Sequence, residues 1–214
     1  MIKLNWIKFI KKEEVGDNIY SFYFDKPKNV SFKSGQYGLF VMPSLVRPHP
    51  FSLSSSPSDE YICFTTTIHN ESPFKNKIMK FKKDSKLLMV GPLQNFYLYE
   101  DDRKYLFLAQ GIGITPFKSI LEERKARNIS SNISLIHVSK NDHVFGKITN
   151  KLADKAYYPH SAQDFQQLLS NNLEADYFYI AGSKRFVNET KLFLQKNNID
   201  SNKIVGDAFL GYKY

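Results

Sequence analysis

The sequence predicts a two-domain chain: an antiparallel β-barrel over residues 1–99, then an α/β doubly wound parallel-sheet domain over residues 100–214. Three observations carry this prediction. The first half is a series of short aromatic and β-branched runs parted by Pro, Gly, Asp or Ser. From Arg103 onward the rhythm becomes apolar strand, polar or glycine-rich turn, then amphipathic helix. Finally, 214 residues with 42% hydrophobic and 15% aromatic content suffice for two compact cores, and no low-complexity tract interrupts them.

In chain order, KLNWIKFI, NIYSFYFD, GQYGLFVM, PFSLSSS, YICFTTTIH, KLLMVG and NFYLY are the predicted strands of the first domain. One helix interrupts them from Pro73 to Phe81, where Phe74, Ile78 and Phe81 recur at helical spacing behind a proline suited to a first turn. The charged stretch Glu100 to Lys104 is the predicted hinge. Beyond it, KYLFLA reads as a strand, PFKSILEERKARN as a helix and SLIHVS as a strand. A helix near Gly146 to Asp154, the short strand AYY, a helix near Ala162 to Leu169, the strand YFYIA and a helix over Arg185 to Lys196 complete the series. Alternation of this kind leads to a parallel sheet flanked by helices.

Charge and cysteine usage narrow the function. The 30 Lys plus Arg against 21 Asp plus Glu give a net charge of +9, which suits an acidic protein partner, a phosphorylated cofactor, nucleic acid or an anionic membrane, or simple solubility. The cations are scattered and never interleave with aromatics as in a nucleic-acid module, so no nucleic-acid partner is predicted. The opening MIKLNWIKFIKKEE falls short of the apolar length of a signal peptide or a span, which predicts a cytoplasmic chain with no membrane span. A single cysteine, Cys63, excludes an intrachain disulfide and a cysteine-ligated iron–sulfur cluster within the chain. His49, His69, His137, His143 and His160 show no paired ligand spacing, so no metal site is predicted. Neither a Gly-x-Ser-x-Gly elbow nor a Cys/His nucleophile arrangement is present.

Two segments concentrate chemistry. LFLAQGIGITPFKSIL, residues 106–121, places a loop with Gly111 and Gly113 between a strand and a helix predicted to begin at Thr115 and Pro116. Thr115 is a good N-cap, Pro116 suits the first helical position, and such a helix start binds phosphate. Pro116 takes the place of the third glycine of the standard dinucleotide fingerprint, so a plain tight turn is the alternative. RPHPFSLSS, residues 47–55, sets Phe51 and Leu53 on one face of a strand and Ser52 and Ser54 on the other. A flat cofactor could use both the apolar and the hydrogen-bonding face. The alternative is an ordinary barrel strand with Phe51 in the core and Arg47 solvated.

These segments, in this order, resemble the FAD-binding ferredoxin-NADP reductase superfamily over nearly the whole chain. GQY at 35–37 resembles the strand entry before the flavin motif, and RPHPFSLSS resembles that motif. HPFS at 49–52 is similar to its ferric-reductase and NADPH-oxidase version. GPLQNF at 91–96 resembles the Gly-Pro turn ending the barrel, LAQGIGITPFKSIL the nicotinamide-nucleotide loop, YFYIAGSKRF at 177–186 the late strand and loop, and GDAFLGY at 206–212 the acidic and aromatic ending.

The resemblance implies FAD in the barrel and NADPH or NADH in the second domain, with hydride passing between them. Electrons would then pass to a separate acceptor such as ferredoxin, flavodoxin or an oxygenase component, an acidic protein by the charge of this chain. Arg47 would bind the FAD pyrophosphate, His49 ribose or phosphate, and Phe51 would stack on the isoalloxazine, with Pro50 and Leu53 flanking it in the motif. Ser52 would approach flavin N5. Gly111, Gly113, Thr115 and Pro116 would cradle the nicotinamide nucleotide, with Gly182 near its ring and Lys140 and Arg185 placed for a 2′-phosphate. Asp207 would exchange a proton through Ser52, and Phe209, or else Tyr212 or Tyr214, would cover the isoalloxazine.

Departures accompany the match. Ala181 stands where a cysteine is frequent and Gln94 where a second glycine is usual. IHNESPFKNK at 68–77 departs from the flavin pyrophosphate loop, with Phe74 to Asn76 expected nearest the diphosphate. Rival expectations are a free-flavin or ferric reductase, and a non-catalytic regulatory module that keeps the fold.

Overall fold

A computed structural model describes residues 3–45, 47–68, 72–94, 96–98 and 102–209. The first sheet comprises β1 (Leu4–Gly16), β2 (Ile19–Asp25), β3 (Tyr37–Val41), β4 (His49–Ser52), β5 (Tyr61–Thr67) and β6 (Lys86–Leu93), in the spatial order β4-β3-β6-β1-β2-β5. All its pairings are antiparallel. Alternation along β1 buries Asn5, Ile7 and Phe9, of which Ile7 and Phe9 meet Phe22, Phe24, Phe40, Phe64 and Met89 in an aromatic core.

The predicted barrel is not closed. Its edge strands β4 and β5 meet at the isolated bridge Leu53 to Phe64, supported by Ser54 N–H donating to Cys63 O at 2.8 Å. β4 is four residues long and carries Pro50, which removes a ladder donor, so the edge is too short to seal the sheet.

Two further expectations change. The NFYLY segment forms no strand among the described residues 96–98: Phe96 is fully buried against Phe117 and Tyr179 of the second core, and Tyr179 Oη donates to Tyr97 O at 2.7 Å. An aromatic-rich run reads as a strand, but here Phe96 is taken up by the second core while the Tyr97 ring lies under Lys33 Nζ at 3.9 Å. Helix α1 is only Pro73–Ile78, capped by Ser72, whose hydroxyl accepts from Lys75 N–H.

The second sheet holds β7 (Lys104–Gln110), β8 (Asn132–Val138), β9 (Lys155–Tyr157), β10 (Tyr177–Ser183) and β11 (Ile204–Phe209), all parallel, in the order β11-β10-β7-β8-β9. With α2 (Ile114–Ala126), α3 (Gly146–Leu152), α4 (Ala162–Ser170) and α5 (Lys184–Lys196) it buries both faces. Tyr105, Phe107, Ile133 and Leu135 pack with α2 on one side, and Leu106, Leu108, Phe178 and Ile180 pack with α4 and α5 on the other. β11 lies outside the predicted strands; GDAF offers little β signal, and pairing with β10 makes it extended.

Helix α2 starts earlier than predicted, after one 3₁₀ turn over Gly111–Gly113, with Gly113 at the N-cap. Thr115 is therefore inside the first turn, and its hydroxyl donates back to Ile112 O at 3.1 Å. Along its length α2 docks on the segment that follows β4. Lys118 Nζ donates to Ser54 O at 3.1 Å and Ser119 Oγ to Ser55 O at 2.6 Å. The buried Glu123 carboxylate accepts from Ser56 Oγ at 2.5 Å, Ser58 Oγ at 2.7 Å and Ser58 N at 3.0 Å. No described helix is long and apolar enough to cross a membrane.

Candidate functional site

β7 has β8 on one side and β10 on the other, so the chain changes direction across the sheet between β7 and β10. Open α/β sheets bind ligands at the carboxyl ends of the strands at such a switch point. Gly111 to Gly113 leave β7 there. Gly111 has φ +54°, and a Cβ on it would meet nothing within 4 Å, so its backbone borders open space. A Cβ on Gly113 would stand 2.2 Å from Ala181 O, so only glycine lets the start of α2 rest on β10. The two glycines therefore serve different needs, approach for one and packing for the other.

Neighbouring side chains fix this loop. His137 on β8 is fully buried and donates Nε2–H to Gly111 O at 2.9 Å. Burial pushes its pKa down to about 4, so the ring is neutral at neutral pH. Gln110 Oε1 accepts from Ser183 Oγ at 2.6 Å and Ser183 N–H at 3.3 Å, tying the ends of β7 and β10 together. Gly182 lies beneath them, where a Cβ would come within 2.8 Å of Gln110 Cβ.

The two sheets meet at the same place. Ser52 Oγ on β4 donates to Asp207 Oδ2 at 3.3 Å across 155 residues of sequence, and Gln94 Nε2 donates to Asp207 Oδ1 at 3.4 Å. Asp207 lies on β11 opposite Ala181 of β10. Burial raises its carboxyl pKa, while the bonds from Gln94 and Ser52 pull the other way. In the sequence Gln94 stands out only as a departure from glycine. The structure gives it φ +76°, the region that favours glycine, and aims its amide at Asp207 while Oε1 is buried without a partner. The signal for it is that very substitution: a bulky residue at a left-handed position is strained unless its side chain has a use.

The remaining candidates distribute as follows. Arg47 is exposed just before β4, and its carbonyl accepts from His49 Nδ1 at 3.0 Å. His49 is buried, stacks on Phe74 at 4.4 Å, and has its pKa lowered by burial. Pro50 and Phe51 are half-buried, Phe51 lying parallel to Phe64 at 4.5 Å. Leu53 is fully buried. The expected hydrogen-bonding face of this segment shrinks to Ser52, because Ser54 turns inward to Thr65 Oγ1 at 2.9 Å and Cys63 Sγ at 3.3 Å. Lys140 is exposed after β8, and Arg185 is exposed and paired with Glu189 at 2.7 Å. Pro116 is buried in α2. Phe209 is half-buried at the end of β11 opposite Ser183. Tyr212, Lys213 and Tyr214 lie outside the described residues, as do His69, Asp101 and positions 69–71 of the predicted diphosphate loop. In that loop Phe74 is a fully buried core side chain and Asn76 is exposed, so the two do not share a surface.

Residues 4–172 match the model of a family described as FAD-binding domain. Among curated proteins, the chain is 27% identical over 174 residues to probable respiratory burst oxidase homolog protein I of Arabidopsis thaliana, covering 64% of this chain and 18% of the relative. It is 32% identical over 124 residues to a superoxide-generating NADPH oxidase heavy chain of Dictyostelium discoideum, covering 47% and 17%. The chain thus spans under a fifth of the length of these two relatives. Among solved structures, a ferredoxin NADP+ reductase from Neisseria gonorrhoeae with bound FAD and NADP superposes with TM-score 0.79 at 18% identity, covering 96% of this chain and 98% of that one. A ferredoxin reductase in carbazole 1,9a-dioxygenase superposes with TM-score 0.81 at 19% identity, covering 98% and 70%. These likenesses establish a shared fold.

Proposed function

Because the chain belongs to the FAD-binding domain family, we propose that it is an oxidoreductase that takes hydride from NADPH or NADH onto FAD and passes electrons to a separate acceptor. Residues 1–99 hold the flavin and residues 100–214 the dinucleotide. The observation that supports this reading best is the meeting of Ser52, Gln94 and Asp207 beside the open Gly111 turn, which joins the β4 segment to the switch-point crevice.

The residues present fit the cofactors. Gln94 Oε1 is a buried acceptor in want of a donor, and Gly111 leaves room for a backbone-to-phosphate approach. FAD, when bound, supplies the hydride-accepting chemistry. Around it Arg47 would bind the pyrophosphate, His49, Pro50 and Leu53 would shape the strand, and Phe51 would offer an aromatic surface. Ser52 would offer its hydroxyl to the flavin edge, and Asp207, hydrogen-bonded to it and with its affinity for protons raised, would exchange a proton through that hydroxyl. Phe209 would cover the flavin face, and the open Gly111 turn would receive the nicotinamide nucleotide, with Gly113, Thr115 and Pro116 setting the start of α2 behind it and Gly182 the end of β10. Lys140 and Arg185 are the cations for a 2′-phosphate, which favours NADPH. The positive net charge favours an acidic protein acceptor.

The decisive experiment is the absorbance spectrum of the protein reconstituted with FAD, before and after anaerobic addition of NADPH or NADH. Bound flavin that bleaches supports the proposal; a protein that cannot be loaded with FAD, or loaded flavin that neither dinucleotide reduces, rejects it. Arg47→Ala is expected to weaken FAD binding by about 10- to 100-fold, the loss of one charged phosphate bond. A second reading, a ferric or free-flavin reductase, is favoured by HPFS at 49–52 and is checked by turnover with chelated iron or free flavin in the absence of any protein partner.

A further inference from the structure

Antiparallel sheets with one wet face normally turn polar side chains to the water. The first part of β1 does the reverse: Leu4 is 67% exposed, Trp6 52% and Ile10 43%, while Asn5, Ile7 and Phe9 point into the core. Register extends this patch. Val90 and Leu88 of β6 stand opposite Leu4 and Trp6, and Leu39 and Val41 of β3 stand opposite Val90 and Leu88 in turn, all four half-buried on the same face. The other large exposed apolar side chains among the described residues, Ile148 and Leu192, stand singly on α3 and α5. Leu4, Trp6, Val90, Leu88, Leu39 and Val41 thus form one contiguous apolar face, with Ile10 set off from it by Lys8 at a register shift of β1, and a face of this kind marks an interaction surface.

Charge surrounds it. Lys8 and Lys86 are both exposed and directly paired across β1 and β6, an arrangement of like charges that costs the sheet stability unless an anion answers it. Lys3, Lys82 and Lys83 are exposed at the ends of these strands, against Asp25, which accepts from Lys8 N–H, and Asp84.

We propose that the outer face of β3, β6 and β1 docks on an anionic lipid surface. A second copy of the chain would set these lysines against their own counterparts. Protein interfaces are enriched in Arg and depleted in Lys, whereas the five cations named around this face are all Lys. Trp6 belongs at headgroup depth, the aliphatic neighbours bury shallowly, and lysine stems lie along the apolar surface with their ammonium groups among the lipid phosphates. The inference is independent of the flavin chemistry.

Trp6 is the single tryptophan of the chain, so its emission reports on this face alone. The test adds vesicles of phosphatidylcholine, with or without about a third phosphatidylserine, to the intact protein and reads both Trp6 emission and co-sedimentation. Anionic vesicles are expected to shift the emission to the blue and to pellet the protein. Binding falls about fivefold for each of Lys8→Gln and Lys86→Gln and falls further with added salt. The double variant Leu4→Ser, Ile10→Ser, whose side chains are exposed and whose melting temperature should match the parent, loses binding. The proposal is overturned by an absence of binding, or by binding to neutral vesicles alone. Co-sedimentation with unchanged Trp6 emission also overturns it, as does a blue shift that grows with protein concentration without lipid, or one given by polyglutamate but not by vesicles.

Discussion

Gln94 shows how one side chain can justify an unfavourable backbone. At φ +76° a glycine would relax the turn, yet the amide supplies Asp207 with a donor that no glycine could. Gln94→Gly therefore sets two effects against each other: relief of about 1 kcal/mol of backbone strain and loss of a hydrogen bond of similar size. The expected outcome is a melting temperature close to the parent's. The pH profile of flavin reduction should move upward, because Asp207 loses one of the two bonds that favour its ionised form. An unchanged profile in stopped-flow reduction would remove Asp207 from the proton path. Asp207 also carries a stability prediction. Its folded-state pKa is raised, so the protonated form is the one the fold favours; stability on its account is full below the ordinary carboxylate range and is lost as pH rises through the folded value. Asp207→Asn should therefore melt higher than the parent at neutral pH, with the gap closing in acid. His137 works in the opposite sense. With its folded pKa near 4, against 6.5 for an unperturbed imidazole, the unfolded chain binds the proton first. Stability falls as pH drops through that window, by at most about 1.4 kcal/mol per pH unit, and His137→Gln should flatten that fall in pH-dependent denaturation.

Helix α2 acts at the scale of the element. Its N-terminus rests on β10 through Gly113, and its side is bound to the segment after β4 through Lys118, Ser119 and Glu123. One rigid element thus touches both halves of the proposed reaction site. Gly113→Ala would force the Ala181 carbonyl aside and is expected to weaken dinucleotide binding and lower the melting temperature, both readable by titration and calorimetry. Glu123→Ala leaves the buried Ser56 hydroxyl without its acceptor, a cost of about 1–3 kcal/mol, measured as a lower denaturant midpoint. Because Glu123 ties α2 to the segment after β4 while Gly113 holds the helix start on β10, hydride transfer should slow more than dinucleotide affinity weakens. Equal losses in both would make the contact purely structural.

At the scale of the molecule, the net charge of +9 gives the proposed function a test in which its two half-reactions respond differently. Electron delivery to an acidic protein partner should slow steeply with ionic strength, since steering between opposite fields is screened within about 8–10 Å at physiological salt. Reduction of bound flavin by the dinucleotide should change far less. The same salt titration with each half-reaction followed separately checks this, and parallel curves would argue against an acidic acceptor.

Much of this was legible in the sequence. The antiparallel and parallel halves, the strand–glycine–helix unit at 106–121 and the segment at 47–55 are local patterns, written in spacings of two and of three to four residues that need no partner to be read. The start of α2 was misplaced and β11 missed, because boundaries depend on which backbone groups find partners. What the sequence could not hold was distance between remote segments. Only the folded chain turns Ser54 to Thr65 and Ser52 to Asp207, gives Phe96 to the second core, leaves the barrel open at β4, and brings Leu4, Trp6, Leu88 and Leu39 to one face. Each of these is a pairing across tens of residues, fixed by sheet register and by which core has room for a ring. Composition and periodicity report a residue's own preference. They carry no information about the neighbour that the rest of the chain brings to it.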